Sequence, residues 1–160
     1  MTQPMRQQES DNMDLNAIDW QALYLSGRGR IGRAEFWLGA AGLIGVGLVA
    51  GLIPVAGALA SLALIYPWAC LMAKRLHDFG RSGLLVLVAA VPAAIAGALG
   101  LFTALAARSL GTLSMALAGA GLSLAVSTVA LLISLGFLLW VGLKPGDVTA
   151  NSYGARMQRA

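Results

Sequence analysis

The stretch that decides the reading of this chain is Arg75-Leu76-His77-Asp78-Phe79-Gly80-Arg81-Ser82-Gly83. It is a charged island in an apolar sequence. The 38 residues from Phe36 to Ala73 carry no charge, and neither do the 26 from Ser82 to Ala107. Of the 160 residues 58% are hydrophobic and 11% charged, and the mean hydropathy is +0.76. Soluble domains carry about a quarter charged residues, so the composition points to a polytopic membrane protein.

Working outward, the run Phe36–Ala73 is too long for one span. At about 1.5 Å per residue it would reach roughly 57 Å, nearly twice a hydrocarbon core of about 30 Å. Gly51-Leu52-Ile53-Pro54 supplies the turn, because proline disfavours helix in the residue before it. Spans are therefore expected at about 36–53 and 55–75, with Pro67 as a kink in the second. Beyond the island a third span runs over about 84–107 and contains Pro92. The run Ser109–Leu143 is read as one span, about 120–143, preceded by a loop or shallow helix over Leu110–Gly119. The fold class is all-α: four transmembrane helices.

The cations set the expected topology. Arg6, Arg28, Arg30 and Arg33 precede the first span, and Lys74, Arg75 and Arg81 separate the second from the third. Lys144, Arg156 and Arg159 follow the fourth, and only Arg108 lies on the other side. Ten against one places both termini and the island in the cytoplasm by the positive-inside rule. No long apolar run lies in the first 34 residues, so no cleaved signal is expected. Residues 1–14 are polar and expected to be disordered. Leu15–Leu25 has the spacing of a short interfacial helix, with Trp20 and Tyr24 suited to the headgroup zone. The membrane domain then covers 15–156, and 157–160 is a cytoplasmic end.

Inside the spans Gly47 and Gly51, and Ala89, Ala93 and Gly97, repeat at four-residue spacing. Small residues at that spacing let helices approach closely in lipid. The single cysteine, Cys70, excludes an internal disulfide and reads as a packing residue. Apart from Lys74 and Arg75 at the very end of the second span, no Asp, Glu, Lys, Arg or His falls within a span, unlike the usual ion-coupled transporter.

Three polar elements should meet at the cytoplasmic interface: Arg28–Glu35, the island, and Lys144–Tyr153. Arg30, Arg33, Arg75 and Arg81, with His77, Asp78 and Ser82, form a candidate site for an anion or lipid headgroup, since guanidinium forks match phosphate and carboxylate. The structural alternative is that they cap helices and fix topology: Arg75 and Asp78 can pair at i, i+3, Gly80 and Gly83 can make the turn into the third span, and Glu35 suits a helix N-terminus. His77, Asp78 and Ser82 are the residue types of a catalytic triad, but adjacent His and Asp rarely address one atom, so no enzyme activity is expected. One histidine and one cysteine offer no zinc site, and neither a metal nor a cofactor is expected. No aromatic platform accompanies the basic strap, so no nucleic-acid partner is expected.

Gly29-Arg30-Ile31-Gly32-Arg33-Ala34-Glu35-Phe36-Trp37 resembles the opening motif, Gly-Arg-x-x-Arg-x-Glu-aromatic-Trp, of a family of small bacterial inner-membrane proteins, domain of unknown function 805. Arg75–Gly83 is similar to its second motif, and Asn151-Ser152-Tyr153-Gly154 to its third. Leu84, Thr149 and Ala155 depart from residues common there (Trp, Gly and Pro). The resemblance spans about 16–156 and implies a multi-pass inner-membrane protein, with Gly29, Glu35, Phe36, Trp37, Gly80, Gly83, Asn151, Tyr153 and Gly154 as structural motif positions. It implies no activity.

The leading expectation is therefore a non-enzymatic protein of the bacterial inner membrane. Its partners are the bilayer, with anionic lipids at the arginine-rich face, and further copies of itself or a membrane complex. The alternative is a transporter or channel subunit, in which Pro67 and Pro92 would open backbone carbonyls to a cavity. A third reading is an enzyme acting on a phosphorylated lipid through His77.

Overall fold

The computed structural model describes residues 18–110 and 113–154. The tails 1–14 and 157–160 lie outside the described residues. The elements are α1 (Trp20–Leu25), α2 (Arg33–Gly51), α3 (Pro54–Asp78), a 3₁₀ turn (Gly83–Val86), α4 (Leu87–Leu110) and α5 (Leu113–Leu143). Among the described residues there is no strand. Four helices are long and apolar enough to cross a membrane.

Three of these helix ends have a clear local cause. Glu35, in the first turn of α2, reaches back so that its carboxylate accepts the Gly32 N–H at 2.8 Å, a capping arrangement that also places negative charge at the positive end of the helix dipole. Pro54 stands at the first position of α3, where its missing N–H is not needed, and the turn from α2 consists of Leu52 and Ile53. The end of α3 is a Schellman motif. Gly80 is left-handed, at φ 69°; its N–H donates to His77 O at 3.1 Å, and the next N–H, of Arg81, to Leu76 O at 2.9 Å. That conformation favours glycine. The helices continue through Pro67 and Pro92.

Two boundaries differ from the sequence expectation. α3 reaches Asp78, so the first part of the island is the last turn of a helix. Where the sequence suggests a loop or shallow helix over 110–119, the described residues are helical and belong to the long helices themselves: α4 ends at Leu110 and α5 already begins at Leu113. Leu113–Gly119 is rich in Leu and Ala and has no proline to stop a helix. With 31 residues, α5 is about 46 Å long and needs tilt or an end outside the hydrocarbon.

The helices form two antiparallel hairpins. In α2–α3, the Gly39 Cα faces Leu71, Gly47 faces Leu64, and the backbones nearly touch at Gly51 and Gly57. In α4–α5, Gly100 lies beside Ser123 and Gly119 beside Thr103, while Ala96 and Ala130 are buried. Gly47 thus serves the packing expected of it. Ala93 and Gly97 do not, being exposed, with open space beside Gly97. The seam of α4 runs instead along Ala96, Gly100 and Thr103, because a helix has one closest face and these positions lie on it.

The hairpins pack sparsely on each other. They meet at the end that holds the island. There Phe36, Leu71, Leu76 and Val141 are fully buried and join Leu23, Ile31, Leu43, Phe79 and Phe137 in one core. Trp37 stands edge-on to Phe36, with centroids 5.5 Å apart, and lies over Gly142, where a Cβ would overlap its ring.

The helix α1 lies along α3. The Lys74 ammonium donates to the Ala22 and Leu23 carbonyls, and Tyr66 OH donates to Leu25 O at 2.8 Å. Thus two side chains of α3 satisfy three of the carbonyls left open at the end of α1. Lys74 and Tyr66 are eight residues apart, about 12 Å along α3, so two long side chains from different turns of α3 converge on the last turn of α1. Tyr24 OH donates to Gly39 O at 3.1 Å, and burial raises the Tyr24 phenol above its usual pKa.

Candidate functional site: a buried Arg–Asp–Arg clasp

Asp78 is the centre of the polar end. Its carboxylate receives Arg30 Nε at 3.2 Å on Oδ1 and Arg75 Nη1 on Oδ2. All three residues are buried, with Arg75 at 0% and Arg30 at 2% exposure. The Arg75–Asp78 pair is the i, i+3 pair that the sequence spacing allows. Burying charge is costly unless it is paired and hydrogen-bonded throughout, and here the remaining bonds go to the main chain.

Arg30 uses every donor it has. Beyond Asp78 Oδ1, its Nη1 donates to Thr149 O at 2.9 Å and Gly154 O at 3.2 Å. Its Nη2 donates to Asp78 O at 3.0 Å and Asp147 O at 2.6 Å. Arg75 donates from Nε to Val141 O at 3.2 Å, from Nη1 to Ile31 O at 3.4 Å, and from Nη2 to Lys144 O. Two guanidiniums thereby tie the strap before α2, the end of α3, the end of α5 and the tail after it. The Val141 and Lys144 carbonyls belong to the open C-terminal end of α5, where a cation is favoured.

The tail closes over this clasp. Asp147 N–H donates to Asp78 O at 2.7 Å. Asn151 Nδ2 donates to His77 O at 2.9 Å and Asp147 Oδ2 at 3.1 Å, and Asn151 Oδ1 accepts from Tyr153 N–H at 2.9 Å. Tyr153 stacks on His77, with centroids 3.9 Å apart and planes at 6°. His77 Nδ1 lies 3.3 Å from Gly29 O; a carbonyl only accepts, so Nδ1 carries the proton in this contact. Gly29 has φ 91°, which lets the strap turn toward the ring. Gly146 lies so near Asp78 that a Cβ there would overlap Oδ2.

The structure therefore gathers Gly29, Arg30, Glu35, Phe36, Trp37, Arg75, His77, Asp78, Gly80, Asn151, Tyr153 and Gly154 at one end of the molecule. It separates others. Arg33 and Arg81 are exposed, and their guanidinium groups make no hydrogen bond or ion pair among the described residues. Ser82 Oγ accepts the Leu84 N–H at 3.3 Å as the cap of the 3₁₀ turn. Gly83 packs tightly on Ala73. His77, Asp78 and Ser82 face three different partners and share no atom. Among the described residues no cluster of three His, Cys, Asp or Glu could hold a metal ion.

Sequence reasoning missed the main-chain acceptors, and with them Asp147, Gly142 and Gly146. A signal for two of these exists in Lys144-Pro145-Gly146-Asp147, a Pro-Gly turn directly after a span. Carbonyl acceptors leave no trace in residue type. Among the motif departures, Leu84 is exposed, and Thr149 contributes its carbonyl, which any residue supplies.

No curated protein and no solved structure matches the chain. Residues 24–155 match the family described as protein of unknown function (DUF805). That stretch contains the strap, both hairpins and the clasp, and on this match the chain belongs to the DUF805 family.

Proposed function

We propose that this protein is a non-enzymatic, multi-pass protein of the bacterial inner membrane, with both termini in the cytoplasm, whose clasp end rests on anionic lipid headgroups. The observation that supports it is the partition of the arginines. Arg30 and Arg75 are committed to Asp78 and to carbonyls, and so hold the end together. Arg28, Arg33 and Arg81 are exposed and are without an acceptor for their guanidinium groups among the described residues. They surround the clasp as free cations, each contributing about 1 kcal/mol of attraction to an anionic surface.

The test compares wild type with an Arg28/Arg33/Arg81 triple alanine variant in mixed micelles of phosphatidylglycerol and phosphatidylcholine. The wild type should retain phosphatidylglycerol preferentially and the variant should lose that preference several-fold, with its melting temperature kept. Equal preference in both would overturn the reading. Reporter fusions after Arg81 and after Tyr153 should report cytoplasm and fusions near Ser109 the opposite side; a reversal would overturn the orientation.

A further inference from the structure

The clasp leaves one cation at this end in an unusual state. Lys144, just past the C-terminus of α5, has its carbonyl bound by Arg75. Its ammonium lies over two aromatic rings, 4.7 Å from the Phe79 centroid and 5.4 Å from that of Trp140. Among the described residues no carboxylate or carbonyl accepts from it. The Trp140 indole N–H likewise has no acceptor among the described residues. Phe79 and Trp140 pack edge-on at 5.5 Å, which fixes the ring that carries the cation.

Beside this pair is a shallow, open depression lined by Leu139, Trp140, Leu143 and Lys144. The lining is mostly apolar, with Trp140 and Lys144 one turn apart at the end of α5 beside Leu139 and Leu143. Leu131, Leu135, Leu139 and Leu143 recur every four residues and are all exposed, so they form one continuous apolar stripe running into the span. A cation and an indole N–H above a leucine stripe match a phosphodiester above an acyl chain. Aromatic rings and lysines at such a level anchor proteins at headgroup depth.

We infer that Lys144, Trp140, Leu139 and Leu143 form a site for one membrane glycerophospholipid, its phosphate on the Lys144 ammonium and the Trp140 N–H, and one acyl chain along the Leu143–Leu131 stripe. The site shares with the proposed function the premise that this end lies at headgroup level. It uses different residues and a different feature of the lipid, the phosphate that zwitterionic and anionic phospholipids have in common. The bound lipid also touches the residue whose carbonyl Arg75 holds, so binding stabilises the folded clasp by mass action.

The experiment titrates the full-length protein, purified in a non-ionic detergent, with phosphatidylcholine, with diacylglycerol of the same chains, and with inorganic phosphate. Binding is read by native mass spectrometry and by the thermal midpoint. Phosphatidylcholine should bind at one site and raise the midpoint. Diacylglycerol should bind at least about tenfold more weakly, and inorganic phosphate should leave the midpoint unchanged. Lys144→Gln should remove most of the difference between phosphatidylcholine and diacylglycerol, while keeping any preference for phosphatidylglycerol over phosphatidylcholine that Arg28, Arg33 and Arg81 supply. Leu139→Trp, which changes the shape of the depression while keeping the Lys144 charge, should weaken both lipids. Should Lys144→Gln fail to fold, Leu139→Trp decides. Equal binding of phosphatidylcholine and diacylglycerol to the wild type, or undiminished binding to Leu139→Trp, would overturn the site. Loss of the anionic preference alone would overturn only the proposed function.

Discussion

The two hairpins of this molecule share close contacts at small residues and differ in burial and in how they end. In α2–α3 the span at Leu59–Asp78 buries 33% of its apolar window, whereas the corresponding window of α4 buries 6%. α3 ends in a dense network of charged hydrogen bonds, and α4–α5 is held along its length by small residues such as Gly100, Gly119 and Ala130. The difference teaches where specificity resides. Lipid is as apolar as leucine, so apolar helices gain little by choosing one neighbour over another. The place where the hairpins are told how to meet is the polar end, because an unpaired guanidinium or carbonyl there has no cheap alternative.

That contrast predicts a ranking of substitutions, measurable by unfolding in mixed micelles. The largest effect is expected for Asp78→Ala, which leaves Arg30 and Arg75 facing each other without a counter-charge; removal of one partner from a buried ion pair costs about 3–5 kcal/mol. If this variant unfolds no more readily than Arg81→Ala, the clasp is not what joins the hairpins.

Next come the glycines. Gly146→Ala and Gly142→Ala insert a methyl group into Asp78 Oδ2 and the Trp37 ring respectively, and overpacking of this kind costs about 1–3 kcal/mol. Gly97→Ala, with nothing within 4 Å, should instead leave stability unchanged or raise it by about 0.5–1 kcal/mol through helix propensity. Equal loss at Gly97 and Gly146 would erase the distinction between the two regions.

Smaller again is Tyr66→Phe, which removes the hydroxyl holding Leu25 O. It should cost about 0.5–1.5 kcal/mol, and faster hydrogen exchange should appear in α1 before it appears in α3. The smallest effect belongs to Arg81→Ala, an exposed side chain beyond the Schellman turn, which should lie within about 0.5 kcal/mol of wild type.

Much of this arrangement was legible beforehand. The segregation of charge and the length of the uncharged runs led to four helices and to the Pro54 turn. The i, i+3 spacing of Arg75 and Asp78 anticipated their pair, and Glu35 its helix start. The α4–α5 seam was not legible, because Ala93, Ala96, Gly97 and Gly100 are all small, and residue type does not say which of them turns inward. Nor was the α5 start, since Leu110–Gly119 is apolar enough for a loop at the interface or for helix, and only packing beside α4 distinguishes them. The partition of the arginines was illegible for a different reason. Arg30 and Arg33 stand three residues apart in one motif and are alike in sequence, yet the strap turns one inward and leaves the other outside.

What the sequence determined by itself, then, is the set of helices and the gathering of charge at one end, because hydrocarbon thickness and the cost of charge in lipid act on each segment separately. What only the tertiary structure decided is the use of those charges. Asp78, 48 residues from Arg30, and the carbonyls of Val141, Lys144, Asp147, Thr149 and Gly154 become acceptors only after two hairpins and a tail have converged, and a carbonyl looks the same in every residue until the fold gives it a place.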